Sequence, residues 1–137
     1  MSDKIVVVAG DETWTQAALH LAAALATHEG RELVLLKMVP VNNPALLGDM
    51  AGLVNFTDEE QAQIENMMAI AADYGVFPQL VVCEYSSWLS GMVDAAEQVG
   101  AKALFVQLWP TAMPFWRTLR VRRLQRQLAH MGCQLFA

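Results

Sequence analysis

Four glycines set the grammar of this chain. Gly30, Gly75, Gly100 and Gly132 each stand where a helix-period pattern stops, and each is followed within a few residues by a short apolar run. Glycine suits the position after a helix because the left-handed conformation that ends a helix costs it nothing. The runs 5–9 (Ile-Val-Val-Val-Ala), 33–39, 80–85, 103–108 and 133–137 are almost wholly apolar. Such runs suit parallel strands covered by helices on both faces. Between them lie four stripes at helical spacing. The first is Ala17, Leu21, Ala24 and Leu25, and the second is Ile64, Met67, Met68 and Ala71. The third is Leu89, Met92, Val93 and Ala96, and the fourth is Val121, Leu124, Leu128 and Met131. Thr13-x-x-Gln16 and Thr57-x-x-Glu60 have the spacing of capping boxes, and Ser86 or Ser87 caps the third helix.

Five strands alternating with four helices predict one α/β domain over residues 1–137, a doubly wound five-stranded parallel sheet with helices on both faces. The layers are Rossmann-like. Ligands of such sheets sit beyond the carboxyl ends of the strands, where strand order reverses.

With 137 residues, 55% of them hydrophobic, the chain can bury a full core without metal or disulfide. No run approaches the roughly 18 apolar residues of a membrane span, and Met1-Ser2-Asp3-Lys4 has no leader-like charge pattern. Cys83 and Cys133 read as reduced core thiols. The expected setting is cytoplasmic, with no membrane contact.

Charge is segregated. Residues 1–116 carry all 14 acids against four bases, a net −10, and residues 117–137 carry five arginines and no acid, a net +5. The acidic body argues against nucleic acid as a partner.

Several segments resemble universal stress proteins. Lys4-Ile5-Val6-Val7-Val8-Ala9 is similar to that family's first strand and Gln16-Ala17-Ala18-Leu19 to its first helix. Gly30-Arg31-Glu32-Leu33-Val34-Leu35-Leu36-Lys37-Met38-Val39-Pro40 resembles the family's Gly-Ala-x-Leu-x-Leu-Leu-His-Val-Val-Pro. His130-Met131-Gly132-Cys133-Gln134-Leu135-Phe136 resembles its His-Ala-Pro-Cys-Pro-Val-Leu. The resemblance implies a flavodoxin-like domain with strand order 3-2-1-4-5. It also implies a stress-response role and a homodimer paired through the C-terminal strand.

The departures from that pattern bear on ligands. ATP-holding members follow the first strand with Asp-Gly-Ser; here Gly10-Asp11-Glu12 stands there. They follow the fourth strand with Gly-x-x-Gly and, further on, Gly-Ser. Here the stretch begins Gln107-Leu108-Trp109-Pro110, and Val121-Arg122 replaces Gly-Ser. Those glycines let backbone N–H groups approach phosphate. Without them, ATP or AMP bound in the family manner is disfavoured and no cofactor is expected.

The candidate ligand contacts are Gly10, Asp11, Val39, Gln107, Arg117, Arg120 and Arg122, all near the switch point. Asp11 and Glu12 either favour the helix dipole or meet a ligand. Arg117, Arg120, Arg122, Arg123 and Arg126 form either a solvated face paired with acids or an anion site. Trp88, Trp109, Phe115 and Trp116, with Pro110 and Pro114, either plug the old pocket or line a contact surface. The connections 40–56 and 109–118 are long enough for interface elements. His20, His28 and His130 lack zinc-ligand spacing. No nucleophile–base motif or Walker loop occurs, so no catalytic residue and no metal site is expected. Two readings stay open: a regulatory protein acting through an unknown protein partner, and a small-anion sensor.

Overall fold

The computed structural model describes residues 3–40, 57–107 and 114–136; the side chains of residues 114–118 and 120 are outside that description. The elements run β1 (Lys4–Val8), α1 (Glu12–Glu29), β2 (Leu33–Pro40), α2 (Asp58–Ala72), β3 (Gln79–Tyr85), α3 (Trp88–Val99), β4 (Ala101–Phe105), α4 (Pro114–Ala129) and β5 (Gln134–Phe136). The strands form one parallel sheet in the order β3-β2-β1-β4-β5. The parallel, doubly wound sheet is what the alternation predicts, and its strand order is the one the family resemblance implies.

Two-sided burial explains the unbroken apolar runs. On one face Ile5, Val7, Leu33 and Leu35 pack with Leu19, Ala22 and Met67 from α1 and α2. On the other, Val6, Val8, Val34 and Leu36 pack with Met92, Leu124 and Leu128 from α3 and α4. Successive strand residues point to opposite faces, so each strand feeds both layers. Removing a Leu side chain such as Leu124 or Leu128 from water contributes about 2 kcal/mol, and both are fully buried.

The helix boundaries refine the sequence reading in three places. The cap of α1 is Asp11, not Thr13, and its carboxylate accepts from the Trp14 N–H. Its buried face is Thr15, Ala18, Leu19, Ala22, Ala23 and Ala26, one position away from the expected stripe, and Leu21 is 66% exposed. An Ala-rich helix offers two small-residue faces of similar hydropathy, so spacing alone does not choose between them. The end of α2 comes at Ala72, three residues before Gly75, and a tight turn from Ala71 and Ala72 carries the chain to that glycine. Ser87 stands at the cap of α3 but its side chain makes no capping bond. The capping box of Thr57 and Glu60 is complete in both directions.

Candidate functional site

At the mouth where β1 feeds α1, beside the end of β4, three of the sequence candidates meet. Gly10 and Asp11 follow β1, and Gln107 lies just past β4. The Asp11 backbone N–H donates to Gln107 Oε1 at 2.9 Å. The Gln107 amide Nε2 donates back to Asp11 Oδ2. The other carboxylate oxygen, Oδ1, accepts from the Trp14 N–H at 2.8 Å, which is the helix cap. The Gly10 N–H donates to Thr15 Oγ1 at 2.8 Å.

These bonds hold the Asp11 carboxyl below its usual range, first through the Gln107 amide and second through the Trp14 N–H, with burial opposing weakly. Asp11 is therefore ionised at neutral pH. Gly10 has no positive φ; what excludes a side chain there is space. A Cβ on Gly10 would come 2.3 Å from Gln107 Oε1. Backbone and amide are in close contact, with no gap between them.

The arrangement bears directly on phosphate binding. Strand-to-helix mouths hold phosphate through free backbone N–H groups at the positive end of the helix. Here the Gly10 and Asp11 N–H groups are already bonded to Thr15 and Gln107. The space beside them holds an amide, and the helix terminus carries a carboxylate. At the start of α1 the Gly10 and Asp11 N–H groups are therefore not open to a phosphate; the stretch after β4, where the similar family carries its glycine cradle, lies outside the described residues.

The remaining candidates lie apart from this cluster. Val39 is near the end of β2, in register with Glu84 of β3. Arg122 is exposed on α4. Among the described residues neither bonds to Gly10, Asp11 or Gln107. The side chains of Arg117 and Arg120 lie outside the described residues, as do connection 41–56, the segment 108–113 with Trp109 and Pro110, and the side chains of Pro114, Phe115 and Trp116. Arg122, Arg123 and Arg126 have no carboxylate within 4 Å among the described residues, so pairing of these three with acids of the same domain is not observed there.

Thr15 was not among the candidates. It is fully buried on α1, and a hydroxyl on an otherwise apolar helix face needs a partner; that requirement was its only signal. Glu84 was also missed. Both its carboxylate oxygens are shielded from water without a hydrogen-bond partner among the described residues. Beyond the mouth, Lys37 on β2 stands where the similar family segment has His, and it reaches Glu60 of α2 at 3.8 Å. Cys133 is buried and Cys83 half-buried, and both are free. Burial pushes the Cys133 thiol up to about 11. Cys83 is raised by burial first and then by Asp94 and Glu84. Among the described residues no group of three His, Cys, Asp or Glu could hold a metal, and no helix is long and apolar enough to cross a membrane.

A parallel sheet ordered 3-2-1-4-5 between two helical layers defines the doubly wound, Rossmann-like α/β class. Within that class, the fold is that of the universal stress proteins. The chain is similar to a protein of the universal stress protein family from Burkholderia pseudomallei, at 20% identity over 98% of this chain and 94% of that one, with a TM-score of 0.64. A universal stress protein from Archaeoglobus fulgidus aligns at 14% identity over 98% and 91%, again with a TM-score of 0.64. A universal stress protein solved in complex with cAMP aligns at 16% identity over 99% and 96%, with a TM-score of 0.58. No protein-family model matches the chain, and no curated protein matches it in sequence.

Proposed function

We propose that this chain is a universal-stress-protein-like regulatory protein of the cytoplasm that acts through protein contacts as a homodimer and does not hold ATP in the family manner. The observation that carries this reading is the lock of Gln107 on Asp11. It engages the Asp11 N–H and leaves an ionised carboxylate at the start of α1, which disfavours an anion beside it. No catalytic role is assigned to any residue.

The homodimer reading draws support from the C-terminal edge. β5 lies at the end of the sheet, so its outer backbone groups are open to pairing. Phe136 stacks on Phe105 with centroids 4.6 Å apart. Beside them Trp14 and Leu21 complete an apolar hollow of about 240 Å³. Leu21→Glu and Phe136→Asp are each expected to shift the protein towards monomer in light scattering after gel filtration. A wild-type monomer at micromolar concentration would overturn the dimer.

A second reading, a small-anion sensor, is favoured by Arg122, which has no carboxylate partner among the described residues, and by the cAMP complex of a protein with this fold. Native mass spectrometry of freshly purified protein with added ATP and AMP separates the two. The expected result is no retained nucleotide and no thermal shift. Retained or titratable nucleotide would overturn the first reading and support the second.

A further inference from the structure

Every described Lys or Arg outside α4 has a carboxylate partner. Lys4 reaches Glu32 at 3.7 Å, Arg31 reaches Glu29 at 3.0 Å, Lys37 reaches Glu60 at 3.8 Å and Lys102 reaches Glu29 at 4.0 Å. Among the described residues, Arg122, Arg123 and Arg126 have none. On a chain with 14 acids, this separation needs a reason. Surface ion pairs are easily made and weak, so an unpaired group of three is a consequence of where the acids were placed.

The three arginines lie on one helical face. Leu119, Arg122, Arg123 and Arg126 fall at the spacing of successive turns and line one side of a groove of about 910 Å³. The other side comes from the start of α3, with Trp88 and Leu89. No acidic residue is among the described residues that line it. Leu119 is 48% exposed. Ser87 caps no N–H of α3, and the first turn of α3 holds no acid, so the positive end of that helix adds to the field of the guanidinium groups.

We infer that this groove docks an acidic, partly apolar peptide segment of a partner protein. The inference rests on the proposed regulatory reading and deepens it by naming the surface and the partner's chemistry. The arginine positions span about 6 Å along the helix axis, a strip of charge rather than a fork on one phosphate. A run of carboxylates matches such a strip, and guanidinium groups hold carboxylates in paired hydrogen bonds. Trp88, Leu89 and Leu119 give apolar side chains of the same peptide somewhere to sit, which sets a helical or extended acidic segment apart from a bare polyanion. Nucleic acid fits less well. Its dense phosphate charge would face a body of net −10.

The test is fluorescence anisotropy of full-length protein with a short fluorescein-labelled peptide of Asp, Glu, Leu and Phe. The expected Kd is micromolar, about 1–100 μM, weakening about tenfold or more as salt screens the pair. The R122Q/R123Q/R126Q variant is expected to lose at least about tenfold in affinity, and R122K/R123K/R126K, which keeps the charge but not the paired hydrogen bonds, to fall between it and wild type. Trp88→Ala is expected to weaken binding of the Leu/Phe peptide but not of an all-Glu peptide. The substituted arginines are exposed, and matching melting curves would confirm that all variants fold. No binding, or binding indifferent to the three glutamines, overturns the inference. So does tighter binding of a single-stranded oligonucleotide or of anionic vesicles in the same salt, or self-association that the triple variant abolishes. ATP binding would instead overturn the underlying functional reading, whatever the peptide does.

Discussion

Gln107 grips Asp11 at two points, its amide oxygen taking the Asp11 backbone N–H at 2.9 Å and its amide nitrogen giving to the Asp11 carboxylate. One side chain past β4 thereby fixes the cap of α1 across 96 residues of chain. The Gln107 amide, with the Trp14 N–H behind it, holds the Asp11 carboxyl below its usual range. A lowered folded-state value means that the unfolded chain takes up the proton first as pH falls. The stabilisation is complete above the unfolded value and fades as pH drops through the folded one. Gln107→Ala is therefore expected to lower Tm by a few degrees at neutral pH. The gap to wild type should hold down to about pH 4 and narrow below it. A gap that stays constant across the acid range in thermal melts would mean that the Asp11 carboxylate is not part of the lock.

Gly10 and Gln107 are coupled by space. A Cβ on Gly10 would come 2.3 Å from Gln107 Oε1 and 3.2 Å from Gln107 Cβ. The amide end is flexible and can swing away, but swinging away breaks its bonds to Asp11. Gly10→Ala should therefore cost about as much as Gln107→Ala, and the pair together less than their sum. A double-mutant cycle in urea is expected to show coupling of at least about 0.5 kcal/mol. Additive effects would separate the glycine from the lock.

Much of this architecture was legible in one dimension, for a physical reason. Apolar runs buried on two faces, helices at 3.6-residue spacing and glycines at helix ends are local features, and strand order followed from them and from the family resemblance. What was not legible depended on contacts across the fold. Gln107 reads in sequence as a polar residue that cannot titrate; its role depends on a partner 96 positions away. The stripe of α1 was misjudged by one residue because Ala17 and Ala18 look alike to a periodicity argument. Packing decides between them: Ala18, Leu19 and Ala22 meet Ile5, Val7 and Leu35 of the sheet. Glu84 shows the same limit from the other side: nothing near it in sequence marks its carboxylate as shielded.

The capping box of α2 supports a second contact. Thr57 Oγ1 accepts from the Glu60 N–H at 3.1 Å, and Glu60 Oε1 accepts from the Thr57 N–H at 3.2 Å. Glu60 also reaches Lys37 on β2, so the cap ties the helix to the sheet. Thr57→Ala is expected to cost about 1 kcal/mol in chemical denaturation. Glu60→Gln keeps the shape of the cap and loses the charge, so it should cost less. Equal losses from the two variants would mean that the Glu60 charge, which Lys37 faces, contributes as much as the Thr57 cap.

Leu128 tests how much α4 depends on its core side. It is fully buried with Leu124 between the sheet and α3, while Arg122, Arg123 and Arg126 are exposed. Leu128→Ala should cost about 2–5 kcal/mol, a large share of the 5–15 kcal/mol typical of whole domains. The three-arginine substitution should change stability by less than about 1 kcal/mol. If both sets destabilise alike in urea titrations, the arginine face has folded-state partners of its own.

The two thiols differ in what limits their reactivity, and alkylation can separate them. Cys133 is buried, and its pKa of about 11 follows from burial alone. At pH 8 that leaves on the order of one thiolate in a thousand, and the thiolate is the reactive form. Cys83 is half-buried, and its raised pKa comes from burial first and from the charges of Asp94 and Glu84 after it. Native protein should therefore label at Cys83 before Cys133. Asp94→Asn should quicken Cys83 and leave Cys133 unchanged, because one contributing negative charge is removed beside Cys83 only. Mass spectrometry of iodoacetamide-treated protein at successive times reads both rates. Faster labelling of Cys133, or no response of Cys83 to the Asp94 change, would refute the stated ordering of burial and charge.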